Sequence, residues 1–335
     1  MPARIRTALC TLLGIDVPIM QAPMGGCAVP QLAAAVSNAG GFGMLGVSWF
    51  ELDLMRAMIR ETRRLTDRPF GVNLALAWRQ EERLAICLEE GARVVSLFWG
   101  DPSPYVRTIH AAGALLVQTV GSADEARRAV DAGADLIVAQ GWEAGGHVWS
   151  QVATLPLVPR VVDAVRPTPV VAAGGIGDGR GVAAALVLGA AGAWIGTRFL
   201  ASEEAFIHPS YRDRVLQARE TDTFYTTLFD VGWPAAPHRT LRNSTVTAWE
   251  SAGHPASGAR PGEGDTVATL PDGTPVPRYS EIPPLPGMEG DLECLVHYAG
   301  QSAGLVSRVQ PAAEIVRELT EDAVRALRAG AGMVT

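Results

Sequence analysis

The chain has 335 residues, 48% hydrophobic and 19% charged, with a mean hydropathy of +0.15. This fits one large domain with an embellishment or two modest ones, and excludes a disordered chain. The net charge of −7 and pI of about 5.4 argue against a nucleic-acid-binding surface. All 28 basic residues are arginine, which excludes chemistry built on a Walker-type lysine, a lysine Schiff base or a pyridoxal phosphate linkage.

At the N-terminus, Arg4-Ile5-Arg6 and the apolar run from Ala8 to Leu13 outline a signal peptide. No small-residue cleavage site follows and Asp16 interrupts the run, so no leader is expected. The uncharged stretch from Gly181 to Thr197 is shorter than the ~20 residues of a spanning helix and is dotted with glycine. The four cysteines, Cys10, Cys27, Cys87 and Cys294, have neither CxxC nor zinc spacing, so no disulfide scaffold and no metal site are expected. These features point to a cytoplasmic protein with no membrane or nucleic-acid partner.

Short apolar, β-branched runs then alternate with Ala/Arg/Glu-rich helical stretches. Strands are predicted at Ile19–Met24, Phe42–Leu45, Gly71–Leu76, Val94–Phe98, Leu115–Val120, Leu136–Ala139, Val170–Ala173 and Trp194–Ile195. The intervening helices are predicted at Gln31–Asn38, Leu52–Leu65, Glu81–Glu90, Pro104–Ala111, Ala123–Asp131, Leu157–Val165 and Gly181–Leu188. Glycines 40, 91, 113, 133 and 189 stand at or near helix ends, and Ser122 is placed as an N-cap. Such alternation implies parallel strands, and eight units suggest a closed (β/α)₈ TIM barrel. An open doubly wound sheet would want G-x-G-x-x-G after its first strand; Ala22-Pro23-Met24-Gly25-Gly26 lacks that spacing.

The rhythm breaks near Glu203. Residues 205–290 hold 11 of the 23 prolines, too many for long helices. Two short helices are predicted there, at Tyr211–Arg219 and Leu241–Ala252. The segment reads as an inserted α+β lobe over one barrel end, with residues 1–204 and 291–335 forming the barrel. Helical pattern resumes from Glu293, His297 included. Pro311 starts a final helix whose Leu319, Ala323 and Leu327 face inward and which closes the barrel.

The active end of such a barrel is where its strands finish. After the sixth strand comes Gln140-Gly141-Trp142-Glu143-Ala144-Gly145-Gly146-His147, and after the seventh Ala173-Gly174-Gly175-Ile176-Gly177-Asp178-Gly179. The eighth ends in Gly196-Thr197-Arg198. The last two segments together suggest phosphate binding: glycines expose backbone N–H groups, and the helix beginning near Gly179 aims its positive end at the anion. Tight turns would use the same glycines. Asn73, inside an apolar strand, and Gln140 each read equally as a structural amide or a ligand contact. His147 is the histidine placed among glycines in a strand-end loop, where an imidazole can serve as a base. His110, His208, His238, His254 and His297 sit in helices or beside prolines. Glu143 is an open candidate for its partner, and Cys27 reads as a small buried residue.

Several segments together resemble the nitronate monooxygenases. They are Pro18-Ile19-Met20-Gln21-Ala22-Pro23-Met24, Gly40-Gly41-Phe42-Gly43, Phe70-Gly71-Val72-Asn73, the stretch from Gln140 to His147, and Ala172-Ala173-Gly174-Gly175-Ile176. The likeness runs from about residue 15 to 205 and resumes at Tyr298-Ala299-Gly300-Gln301, with Glu143-Ala144-Gly145-Gly146-His147 its most specific element. The resemblance implies an FMN-binding barrel that oxidises alkyl nitronates with O₂ to carbonyl compounds and nitrite. It implies that Ala22, Pro23 and Met24 line the flavin through their backbone, and that Asn73 and Gln140 bond its ring or ribityl chain. Gly145, Gly146, Gly174, Gly175 and the run Trp194, Ile195, Gly196 and Thr197 would hold the ribityl phosphate, and His147 would be the active-site histidine. Trp149 stands where the family usually carries glycine, and is expected to roof or crowd the pocket. A possible homo-oligomer is left open. Competing expectations are an NAD(P)H:quinone or enoyl-thioester reductase on the same flavin barrel, an isomerase or aldolase of phosphorylated sugars, and a flavin-binding protein without turnover.

Overall fold

The computed structural model describes residues 5–334; Arg4, the first arginine before the leader-like run, lies outside the described residues. The first part of the chain runs α1 (Ala8–Leu13), β1 (Ile19–Gln21), α2 (Pro30–Asn38), β2 (Gly43–Gly46), α3 (Leu52–Leu65), β3 (Phe70–Ala75), α4 (Glu81–Glu89), β4 (Val94–Phe98), α5 (Ser103–Ala111), β5 (Leu115–Val120), α6 (Ala123–Ala132) and β6 (Leu136–Gln140). It continues through β7 (Gly146–His147), α7 (Thr154–Val165), β8 (Val170–Ala173), α8 (Gly179–Val187), β9 (Gly192–Ile195) and α9 (Thr197–Leu200). Beyond these lie α10 (Pro209–Gln217), β10 (Thr223–Thr226), β11 (His238–Leu241), α11 (Ser244–Ser251), β12 (Thr266–Thr269), β13 (Pro275–Pro277), β14 (Glu289–Gly290) and α12 (Ala312–Ala331).

Eight strands form one parallel sheet in the order β1-β9-β8-β6-β5-β4-β3-β2. Its two edges meet: Phe42 N–H donates to Ile19 O at 2.9 Å, and Gln21 N–H donates to Phe42 O at 2.9 Å. The sheet is therefore a closed barrel. Side chains alternate as the pleat requires. Met20, Met44, Val117, Val138, Val171 and Trp194 fill the interior, while Ile19, Leu45, Val72, Val95, Ile137 and Ala193 face the helices. The leader-like run becomes α1, whose Leu9, Cys10 and Leu13 are buried in the same cluster as Met20, Val94 and Leu136. Its hydrophobicity serves to plug the barrel floor. No helix among the described residues is long and apolar enough to cross a membrane.

Helix α12 packs on α8 and α2 as the last helix of the ring, with Leu319 and Ala323 buried; Leu327 is only half-buried. His297 is not helical. It lies in an irregular segment between two short 3₁₀ turns, where Leu295 and Val296 are buried under residues 205–290. Helix α11 starts later than expected because Leu241 ends β11, and Asn243 then caps the helix by accepting from Val246 N–H at 3.1 Å.

Between α10 and the 3₁₀ turns the chain forms two small antiparallel sheets, β10-β11-β7 and β13-β12-β14. Each covers its own apolar cluster, one around Phe229, Val246 and Tyr279 and the other around Val276, Met288 and Leu295. The first sheet borrows β7 from the loop after β6, placing His238 opposite His147 and Arg239 opposite Gly146.

Candidate active site

A cavity of about 430 Å³ opens at the ends of the barrel strands, under the segment 205–290. Its floor and one wall come from the strand-end loops: Ala22, Pro23, Met24, Asn73, Gln140, Gly145, Gly146, His147, Gly174, Gly175, Trp194, Gly196 and Thr197 all line it. Among the residues singled out by sequence, Ile195 does not. It points into the helix-facing core, and its carbonyl already accepts from Ala22 N–H at 2.9 Å. Period-two alternation along β9 puts Trp194 inside and Ile195 outside.

The glycine segments make a donor cradle. The N–H groups of Gly174, Gly175, Ile176, Gly196 and Thr197 donate to no acceptor among the described residues, although all five residues line the cavity. Gly174 and Gly175 hold φ of +100° and +70°, which side chains seldom tolerate. Five free donors around one space suit a phosphate. The helix dipole is not part of this arrangement. Asp178 caps α8 by accepting from Arg180 and Gly181 N–H at 2.9 and 3.3 Å, so its own carboxylate already answers the positive helix end. Among the described residues no arginine lines the cavity, so the free donors of the cradle are backbone N–H groups.

The loop carrying His147 is fixed at every turn. Glu143 is spent on structure, accepting from Thr154 N–H at 2.8 Å and Thr154 Oγ1–H at 2.9 Å. It is therefore not a partner for His147. Gln140 Nε2 donates to His147 O at 3.2 Å. Arg239, almost wholly buried, donates to Trp142 O at 2.9 Å and stacks on the Trp142 ring. Asn73 Nδ2 donates to Ser96 Oγ at 3.2 Å, which fixes the amide where its side chain borders the cavity.

His147 Nε2 is buried with no partner. Its ring lies 4.1 Å from that of Trp233 and 5.4 Å from Tyr298, centroid to centroid. Burial, with His238 a lesser cause, pushes its pKa well below the usual histidine value, so the imidazole is neutral near pH 7. Trp149 does not roof the cavity. It lies stacked on Phe98 at 4.8 Å with Nε1–H donating to Glu125 at 2.9 Å, which turns it outward; Trp233 takes the position over His147. Cys27 is buried, its thiol pushed up to about 12 by desolvation. Trp233, Tyr211, Tyr298 and Glu281 also border the cavity. Sequence reasoning missed them as site residues, since they fall where no periodic pattern flags a cavity-facing position.

Two buried histidines and the half-buried His147 carry a consequence for stability. Desolvation holds His238 and His297 at about 4 and His147 below its usual value. The unfolded chain, titrating near ~6.5, binds these protons first, so stability present above that pH is lost as pH falls toward the folded values. At about 1.36 kcal/mol per pKa unit, His238 and His297 each contribute on the order of 3 kcal/mol to this loss. Denaturant midpoints should fall steeply from about pH 6.5 to 4.5 and fall less steeply in His297→Gln; a midpoint unchanged over that range contradicts the assignment.

A family model described as nitronate monooxygenase matches residues 6–82 and 75–322. A nitronate monooxygenase of Paraburkholderia phytofirmans is 34% identical over 95% of both chains. The Mycobacterium tuberculosis (3aS,4S,5R,7aS)-5-hydroxy-7a-methyl-1-oxo-octahydro-1H-indene-4-carboxyl-CoA dehydrogenase is 41% identical over 74% of this chain and 69% of its own length. The solved structure of FabK from Thermotoga maritima superposes with a TM-score of 0.82 at 32% identity, covering 98% of this chain and 100% of that one. An oxidoreductase barrel whose glycine loops and histidine meet at one cavity is thus joined to its relatives along nearly its whole length, and the chain belongs to the nitronate monooxygenase family.

Proposed function

We propose that this protein binds FMN and oxidises alkyl nitronates with O₂, yielding carbonyl compounds and nitrite. The observation that carries the reading is the neutral, unpartnered His147 imidazole on the same cavity as five unengaged backbone donors. The donors fit the ribityl phosphate. Asn73, Gln140 and the Ala22–Met24 backbone border the space left for the ring. When bound, FMN supplies the electron transfer and the reaction with oxygen. The chain's own part is to orient the substrate under Trp233, exclude water, and take the α-proton of a neutral nitroalkane at His147. The segment 205–290 acts as the cover, contributing Trp233, Leu270, Glu281, Ile282, Pro283 and Leu285 to the cavity.

A second reading, a dehydrogenase or reductase acting on a bulky thioester, is favoured by one feature. Trp49, Phe50, Phe98 and Trp233 line the cavity, an apolar surface larger than a small nitroalkane needs. Anaerobic mixing separates the two. Propyl-2-nitronate should bleach the visible flavin absorption within the turnover time, and NADH should not. Bleaching by NADH, with none by nitronate, would replace the first reading by the second.

A further inference from the structure

The cavity has a short list of groups able to carry charge: Cys27, Glu143, His147, Tyr211, Glu281 and Tyr298. Most are already engaged. Glu143 is held by Thr154. Tyr211 O–H donates to Tyr298 O at 2.5 Å, and Tyr298 O–H donates to Glu281 O at 3.1 Å. The Cys27 thiol is kept neutral by burial. His147 and the Glu281 carboxyl remain.

The backbone around Glu281 is fixed while its carboxyl is free. Glu281 N–H donates to Val231 O at 3.0 Å, and Val231 N–H to Tyr279 O at 3.1 Å. Among the described residues the carboxyl has no hydrogen bond or ion pair; desolvation alone pushes it up to about 7. It occupies room left by Gly232, where a Cβ would sit 2.4 Å from Oε1. The next residue, Trp233, stacks on His147, and Glu281, Trp233 and His147 all line the one cavity. The ionisable groups of the neighbouring elements leave Glu281 uncompensated. From the loop before Gly232, Asp230 is paired with Arg260 at 2.8 Å. From the lobe sheet, His147 and His238 are both held below the usual histidine range by burial. From the segment before the second 3₁₀ turn, the Tyr298 phenol is held well above its ordinary value by burial.

We propose that Glu281 contacts the substrate and sets the charge the cavity admits: as a carboxylic acid it donates its O–H to the substrate's polar acceptor, and as a carboxylate it excludes anions. This rests on the nitronate reading for the identity of the acceptor, a nitro or nitronate oxygen. It makes entry of the nitronate anion conditional on the protonated form of Glu281, while the undissociated nitro compound enters with either form. A low-dielectric cavity without a cation cannot hold two adjacent negative charges.

The test uses binding of inert probes to the flavin-loaded protein, read from the visible flavin spectrum. Benzoate serves as the anion and nitrobenzene as the neutral isostere. In the wild type, benzoate should weaken about tenfold per pH unit above about pH 7, while nitrobenzene, which loses only a neutral hydrogen bond, should weaken far less and level off. In Glu281→Gln, both should be independent of pH. Calorimetry in buffers of differing ionisation heat gives a second readout: benzoate binding at about pH 8 should take up close to one proton per site. That uptake should persist in His147→Asn and vanish in Glu281→Gln. Benzoate binding that ignores pH in the wild type, or proton uptake that disappears with His147, overturns the proposal. Should Glu281→Gln fail to fold, the wild-type and His147→Asn measurements decide the matter alone. None of these readouts needs turnover, so a protein that ignores nitronates yet passes them loses the reaction assignment and keeps Glu281.

Discussion

His147→Asn is expected to lower kcat/KM on a neutral nitroalkane by about 10²–10⁴-fold, the usual worth of a positioned general base, and to lower it far less on the preformed nitronate. The argument rests on protonation state. Burial keeps the imidazole neutral at working pH, so it arrives as a base and has no proton to lose first. The imidazole borders the cavity and has no side-chain partner among the described residues, which leaves it free to take the α-proton. Once protonated, the ring is an imidazolium beside the new nitronate, and the pair stabilise each other in a low-dielectric site. The nitronate has already lost that proton, so with it the base has no task and only the ring's contact with the substrate disappears. In Glu281→Gln, which removes the other group titrating in this range, rates on the neutral substrate should also show no inflection at the ordinary histidine value of about 6.5. Steady-state kinetics of both substrates from pH 5 to 9 check this; equal losses on the two would reassign His147 to anion binding.

Gly145→Ala is expected to strip most of the bound flavin and to destabilise the fold by about 1–3 kcal/mol or more. A Cβ on Gly145 would sit 2.3 Å from Gly300 N and 2.5 Å from the Ala299 carbonyl carbon. Both are backbone atoms, so no side-chain rotation relieves the overlap. Moving the 299–301 segment would break two bonds that position the cradle: Gly300 N–H to Thr197 Oγ1 at 2.9 Å and Gln301 N–H to Glu143 O at 3.0 Å. Gly146→Ala next door is the control. Its Cβ meets open space, leaving only the cost of a left-handed conformation at φ +72°, about 1–2 kcal/mol. Flavin content per chain and the thermal midpoint of the two variants check the contrast; full flavin retention by Gly145→Ala would remove the close approach from the account.

The barrel was legible because its signals are local. Strands such as Val94–Phe98 and Leu115–Val120 are apolar runs between helices ended by glycine, and these appear with the expected boundaries. Ser122 caps α6 by accepting from Glu125 N–H at 3.2 Å, as its spacing implied. What escaped depends on distant partners. Strand β7 is two residues, Gly146 and His147, and exists only because β11 lies alongside it. Strand β13 contains Pro275 and Pro277, residues that read as breakers. The run Ala8–Leu13 carries the same hydrophobicity whether it leads a chain or plugs a barrel, and only the tertiary context in which Leu9 joins the buried cluster of Leu136 distinguishes them. The helix after Gly179 has a dipole in either reading, but its own Asp178 answers it. Trp149 lies two residues past His147, and Glu125, at the start of a different helix, turns it away.

The central claim is that unengaged backbone donors at the ends of β8 and β9 grip the phosphate of FMN, and the most direct measurement is a titration of flavin-free protein with FMN and with riboflavin, followed by flavin fluorescence. The two ligands differ only in the phosphate. Even two charge-assisted hydrogen bonds at about 1.5 kcal/mol each should favour FMN by roughly 100-fold. Equal affinity for the two, or a protein that takes up neither, would contradict it.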